Sequence, residues 1–348
     1  MIEFEPVGPI GKSAALKLWS ASVYGSKVSF TAALIRSSPH ISRSFPKLWT
    51  ATRPAPPCLG SLGYCLELAL RPGVQHSALE TELNLERVLP MAAKLTPLPL
   101  LFRADSGLCS LKIMQAVSAQ AATLAREIAF IIKWNPRRAP VEAIATERVQ
   151  DANTTWCHLR EGKRMCLWTQ ALKLEGVGTE ATPARRVLRL VERTIDKHGN
   201  PLLLPAYELE GWTTTLADKF TMQEVIDLYK DHATHEQFHS EFKTDMDLER
   251  LPSGKFDTNF LVCALAAVAM NILRLIGQNA LTGKDAPLRH AAKRRRMKTV
   301  MQEIMFKAGR MIKHAGRWVL GLGANDSAHT VFERLYKQLA PQRQTSTA

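Results

Sequence analysis

The chain has 348 residues, with 46 Lys and Arg against 32 Asp and Glu, a formal net charge of +14. That length allows one large domain with an insertion, or two domains, and the cationic surplus points to a polyanionic partner held through phosphate attraction and counterion release. Six cysteines (Cys58, Cys65, Cys109, Cys157, Cys166 and Cys263) form no C-x-x-C pair, which argues against a zinc ribbon or a disulfide framework and fits a reducing cytoplasm. Met1 to Lys12 is acidic without an apolar run, so no secretory signal is read there.

Residues 1–58 read poorly as a fold. Ser, Pro, Arg and Ala dominate, only Glu3 and Glu5 are acidic before Glu67, and no Asp precedes Asp105. From residue 12 this resembles translation in another frame joined to genuine coding sequence near Leu59; an organellar transit peptide shares the composition. Tyr64 to Leu70 predicts a short strand and Leu79 to Lys94 a helix, with Leu83, Leu85, Val88 and Leu89 apolar. Leu98 to Phe102 predicts a buried strand delivering Asp105 to its end. A helix over Leu108–Arg126 and a strand over Glu127–Trp134 follow, closed by Asn135-Pro136.

Residues 136–220 read as a mainly β insertion. Val187–Ile195 and Pro201–Trp212 flank a turn at Asp196-Lys197-His198-Gly199-Asn200, and Trp156, Trp168 and Trp212 cluster here. Helical periodicity returns from Met222 to about Asp247. Phe260–Ile276 is apolar but short for a membrane span and interrupted by Asn271 and Arg274, so a buried core helix is expected and no membrane partner. A basic helical tail is expected from Leu288 to about His314. The divisions are thus 1–58, 59–135, 136–220, 221–280 and 281–348, and secondary structure alone supports an α/β fold with an insertion.

The most informative stretch is Tyr-Lys-Asp-His-Ala-Thr-His-Glu-Gln-Phe-His-Ser-Glu-Phe-Lys, from Tyr229 to Lys243. Tyr229, Glu236 and Lys243 are spaced seven apart, so on one continuous helix they drift only about 20° per step and form a stripe roughly 20 Å long. His235-Glu236-Gln237-Phe238-His239 is also a literal H-E-x-x-H, the zinc peptidase arrangement. That alternative wants a glycine where Phe242 stands and a third ligand, for which only Asp245 is placed.

The stripe resembles the Y-x2-R-x3-E-x6-K signature of bacterial insertion-sequence transposases of the DDE type, with His232 at the arginine position and Lys230 beside it. Arg103-Ala104-Asp105-Ser106-Gly107 resembles the family's R-x-D-S-G segment. Leu248-Glu249-Arg250-Leu251-Pro252-Ser253-Gly254-Lys255-Phe256, followed by Asn259, resembles its link into the next helix. The likeness runs from about Leu59 to near Leu339. It implies a ribonuclease-H-like core interrupted by the β insertion, with Asp105 and Glu236 as catalytic carboxylates binding Mg2+, or Mn2+. It implies phosphate contacts from Tyr229, Lys230, His232 and Lys243. The cluster Lys293, Arg294, Arg295 and Arg296 is expected to track the DNA backbone. The implied partner is DNA at transposon ends, bound by a bacterial, cytoplasmic, nucleoid-associated protein, and a homodimer on DNA is compatible with it. The family's first aspartate, on the first strand of the core, has no counterpart here. The expectation is an N-terminally altered or frameshifted copy that lacks that central strand and is defective in catalysis; the alternative is a non-catalytic DNA-binding remnant.

Overall fold

The computed structural model describes residues 28–32, 58–59, 63–70, 78–174, 182–231, 235–282, 294–322 and 328–339, and for 28–32, 59, 235–236, 320, 322, 328 and 338–339 only the backbone. The chain divides into two compact units, residues 1–236 and 237–348.

The first unit is built on a nine-stranded mixed sheet. Its strands are β1 (Val28–Ala32), β2 (Cys58–Leu59), β3 (Tyr64–Cys65), β4 (Leu100–Ala104), β5 (Ile128–Trp134), β6 (Trp156–Arg160), β7 (Lys163–Leu174), β8 (Thr182–Ile195) and β9 (Pro201–Thr214), in the order β3-β2-β1-β4-β5-β9-β8-β7-β6. β1, β4 and β5 run parallel; β2 and β9 join that trio antiparallel on its two sides. All five residues of β4 are buried, as are the first five of β5. Strands covered on both faces need such near-continuous apolar runs, which explains Leu-Leu-Phe and Ile-Ala-Phe-Ile-Ile.

Three helices, α1 (Thr81–Leu95), α2 (Leu111–Thr123) and α3 (Val141–Gln150), lie along the sheet. α1 buries Leu85, Val88, Leu89 and Ala92, a helical stripe, and with α2 it packs on Leu100, Phe102, Ile128, Phe130 and Ile132. α3 covers Leu188, Leu190 and Leu209. The alternate strand positions Leu101, Ala129, Ile131, Val187 and Trp212 face the other way, onto α4 (Met222–Lys230). The turn expected at 196–200 is present: Asp196 accepts from the amides of His198 (2.7 Å) and Asn200 (2.9 Å), and Gly199 takes a positive φ of 91°.

Two expectations about this unit change. Of Tyr64–Leu70 only Tyr64–Cys65 is a strand. The centre of the sheet, expected to lack its first strand, is filled by Val28–Ala32, in register with β4 from Val28↔Leu100 to Ala32↔Ala104. A ladder asks only for extended backbone with free amides, and Val28, Phe30 and Thr31 favour that geometry. The five residues Val-Ser-Phe-Thr-Ala carry no carboxylate.

The second unit holds most of α5 (His235–Ser240), which runs into a π turn at Glu241–Asp245, then α6 (Phe256–Ala280), a single turn α7 (Met297–Val300), a hairpin of β10 (Gly309–His314) with β11 (Arg317–Leu322), and α8 (Ala328–Leu339). The hairpin replaces the end of the basic helix expected over 288–314. Ala315 and Gly316, with φ of 48° and 76°, make a two-residue left-handed turn of the kind that closes hairpins and ends a helix. α6 is long and apolar enough by length and composition to cross a membrane. It is not the wholly buried helix expected. Cys263, Met270, Leu273 and Arg274 are buried, while Leu261, Leu265, Val268 and Ile272 are exposed. Fixed helical periodicity lets one neighbouring layer cover only one face of a helix that is apolar all round.

That asymmetry predicts unequal mutants. Met270→Ala, at 0% exposure, should cost about 2–5 kcal/mol in urea unfolding. Leu265→Ala, at 61% exposure, should stay within about 0.5 kcal/mol.

Candidate active site

Asp105 follows β4 in extended conformation, with φ −76° and ψ 177°. Strand alternation therefore carries Leu101, Arg103 and Asp105 to the same face, the one covered by α4. The Asp105 Oδ1 accepts a 3.0 Å hydrogen bond from the Gly107 amide, which starts the following 3-10 turn and fixes the carboxylate at the strand's end.

α4 begins with a capping box: the Thr221 hydroxyl accepts from the Glu224 amide, and the Glu224 carboxylate accepts from the Thr221 amide at 2.8 Å. Its C-terminus is fastened by Arg103, whose Nη1 donates to the Leu228 carbonyl at 2.5 Å. This guanidinium is 4% exposed, and burial pulls its pKa down to about 10 despite the nearby Asp231 and Tyr229. It therefore stays charged at neutral pH. Tyr229 follows Leu228 on this helix, and burial first, then the charges of Asp105 and Glu210, push the phenol's pKa up. The Tyr229 ring lies 6.2 Å from that of Trp212 at an angle of 59°.

Next to this pair is a cluster that sequence reasoning missed. Lys133 donates to Glu210 at 2.8 Å, and Arg189 pairs with the other carboxylate oxygen of Glu210. Lys133 and Arg189 also lie 6.0 and 5.6 Å from the Trp212 ring centre. Lys133↔Trp212 and Arg189↔Glu210 are cross-strand partners, and Glu210 and Trp212 share a face two residues apart. Period-two reading of β8 and β9 together with their register would have found them, but the register is not visible in one sequence. Arg103 was within reach, since alternation alone links it to Asp105. The tryptophans are paired with arginines: Arg164 sits 4.2 Å over Trp156 and Arg148 5.1 Å over Trp168. Trp212, 2% exposed, is a packing residue.

The seven-residue stripe does not form on one helix. α4 ends at Lys230, residues 232–234 (with His232) lie outside the described residues, and the helix from His235 widens into the π turn that carries Lys243. A π turn changes the angular step per residue, so the 229–236–243 spacing no longer fixes one face. Lys230 is exposed, with a loose 3.8 Å pair to Asp227. The side chain of Glu236 is not among those described. Phe238 and Phe242 are buried in the second unit.

Arg294, Arg295 and Arg296 of the basic cluster make contacts within the second unit, Arg296 while its side chain stays 50% exposed. The Glu241 carboxylate, 1% exposed, bridges Arg274 at 2.5 Å and Arg294 at 2.6 Å, and both guanidinium groups lie over Phe238, at 5.1 and 4.7 Å. Arg295 donates to the Leu281 carbonyl at 2.7 Å. Arg296 grips Asp245 with two nitrogens, at 2.8 and 2.9 Å. Lys293 lies outside the described residues. The same pairing takes Asp245 from the zinc alternative, whose third ligand it would have been. His239 is buried, with its Nε2 unpartnered among the described residues, and burial followed by Lys243 lowers its pKa to about 4.

A model of the family described as transposase DDE domain, group 1, matches residues 60–344. The chain belongs to that family. No curated protein matches it. Among solved structures, it is similar to a cryo-electron-microscopy structure of a piggyBac transposase synaptic complex with hairpin DNA, at 8% identity and a TM-score of 0.38, over 80% of this chain and 51% of that one. The chain thus spans about half the length of that structure.

In this chain the described residues do not complete a metal centre of the kind the family implies. No three His, Cys, Asp or Glu side chains converge among them, Asp105 has one oxygen engaged by Gly107, and β1 supplies no acid. Two ions in line with a phosphodiester need a fuller carboxylate set than Asp105 offers.

Two outcomes follow for the second unit. Arg274→Met should cost about 3–5 kcal/mol in urea unfolding because it leaves the buried Glu241 partly uncompensated, and adding Glu241→Gln should recover part of that loss. His239 stays neutral in the fold while the unfolded chain takes up a proton below about pH 6.5. Its contribution is therefore present above pH 6.5 and lost as the pH falls toward 4, by up to about 3 kcal/mol. Unfolding of His239→Leu at pH 7 and 4.5 should show a smaller pH difference than the parent chain.

Proposed function

We propose that the chain is a DNA transposase of the cut-and-paste type whose core is ribonuclease-H-like, and that it engages DNA but does not cut or join it. Support for the core comes from the order β3-β2-β1-β4-β5, with β1, β4 and β5 parallel, helices on both faces, and an acid at the end of β4. The antiparallel strands β6–β9 lie between Asp105 and Glu236 in the sequence, which supports reading them as the β insertion.

The family works with divalent metal ions, and Mg2+ or Mn2+ would stabilise charge on the attacking and leaving oxygens. Asp105 and Glu236 are the residues assigned to it. The observation that carries the loss of activity is the composition of β1: the central strand beside β4 holds Val28-Ser29-Phe30-Thr31-Ala32 and no carboxylate. What the remaining residues do is bind. Arg103 holds Tyr229 at the strand ends. Tyr229 offers a phenol that stays protonated at neutral pH and donates to a phosphate oxygen. Lys230 and Lys243 add cations, as do His232 and Lys293 in the same reading. A homodimer on DNA belongs to this proposal too.

Binding to duplex DNA should be salt-sensitive and largely independent of sequence. Lys230→Ala should weaken it and flatten the slope of log affinity against log salt by about 0.9, one phosphate contact. An unchanged slope would make Lys230 a solvated surface charge. Arg296→Ala, which breaks an internal pair, should lower stability with little change in slope.

A further inference from the structure

Cys58 and Cys65 are direct partners in the antiparallel β2–β3 ladder, with Leu59 opposite Tyr64 beside them. Opposed residues in such a ladder have Cα atoms about 4.5–5.5 Å apart, inside the range of about 4.4–6.8 Å that a disulfide spans. Partners in register also leave the same face of the sheet, so the two sulfurs share one space. Both residues are buried, at 0% and 4% exposure, and the Cys65 Sγ donates to the Glu67 carbonyl at 3.3 Å. Proximity shows in the electrostatics as well: burial first, and then Cys58, raise the Cys65 thiol's pKa. No other described pair is so placed. Cys166 stands opposite Trp156, Cys157 opposite Met165, Cys109 follows the turn after β4, and Cys263 is on α6 in the other unit.

We propose that Cys58 and Cys65 are a modification site, a thiol pair that closes to an intrachain disulfide when the protein meets a small disulfide oxidant. One thiol gives up its proton, and its thiolate attacks a sulfur of the oxidant, breaking that S–S bond and expelling one thiolate of the oxidant. The second cysteine, deprotonated in turn, attacks the mixed disulfide and expels the other. The cysteines lose two electrons and two protons, and the oxidant leaves as two thiols. β3 is an edge strand of two residues, so local opening of the hairpin admits the oxidant without unfolding the sheet. The raised thiol pKa makes closure slow at neutral pH and faster in alkali. The bond would tie down β2, which pairs with β1 through Phe30↔Leu59 and Thr31↔Cys58. Oxidation would thereby fix the border of the central strand, whatever the protein does with DNA.

The test uses the folded full-length chain incubated with excess oxidised glutathione, quenched with an alkylating reagent, digested and mapped by mass spectrometry. The expected result is a peptide containing Cys58 and Cys65 that carries no alkyl group and is lighter by two hydrogens, while the exposed Cys157 takes up reagent or glutathione. The yield should rise from pH 7 to pH 8.5. In Cys58→Ser the linked species should vanish and Cys65 should carry glutathione or the alkyl group. Separate glutathione adducts or alkyl groups on both Cys58 and Cys65 of the parent chain, with no linked peptide at either pH, would overturn the proposal. The parent-chain map decides the matter even where the serine variant does not fold.

Discussion

The bond from Arg103 to the Leu228 carbonyl is the contact on which the first unit's candidate site depends. A helix C-terminus exposes carbonyls with partial negative charge, so a buried guanidinium there is both hydrogen-bonded and electrostatically matched. Arg103 belongs to β4 and Leu228 to α4, so one interaction joins the strand that delivers Asp105 to the helix that delivers Tyr229. Burying a cation is costly unless it is paired, and α4 supplies a partner here. Removing Arg103 would take a donor from the Leu228 carbonyl, which links the geometry of the site to the core of the first unit.

The second unit follows the same rule with the charges reversed. Glu241 is the buried ion, and Arg274 and Arg294 neutralise it from α6 and from the segment before α7, both close to the Phe238 ring. Part of the chain's cationic surplus is therefore structural. Net charge predicts a polyanionic partner for the molecule as a whole, but it does not say which arginines face that partner, because a run such as Arg294-Arg295-Arg296 reads alike whether it meets phosphate or carboxylate.

Much of the first unit was legible because local chemistry and tertiary structure agree there. The apolar runs of β4 and β5, the turn at 196–200 and the stripe of α1 are each fixed by neighbours within a few residues. Asp105 at a strand end was readable for the same reason. The remainder depends on distant partners. The ladder place of Val28–Ala32 is decided by β2 and β4, not by its own composition. The Tyr229–Lys243 stripe is lost because α4 ends at Lys230 and a widened turn holds Glu241 and Asp245 on their arginines. The hairpin after Met305 turns on Ala315 adopting a left-handed conformation beside Gly316, a weaker signal than Asn-Gly. The Lys133–Glu210–Arg189 cluster needs the β5–β9–β8 register.

The proposal that the chain holds DNA without cutting it is tested most directly by strand cleavage. The full-length protein would be incubated with duplex DNA carrying the transposon ends of an active family member, in Mg2+ and separately in Mn2+, beside two chimaeras. In these, residues 1–58 are replaced by the first two strands of an active family member, once with its aspartate and once with alanine in that position. Cleavage by the aspartate chimaera alone is the predicted result. Metal-dependent cleavage by the parent chain, abolished by Asp105→Ala, would contradict it and would show that another acid completes the site.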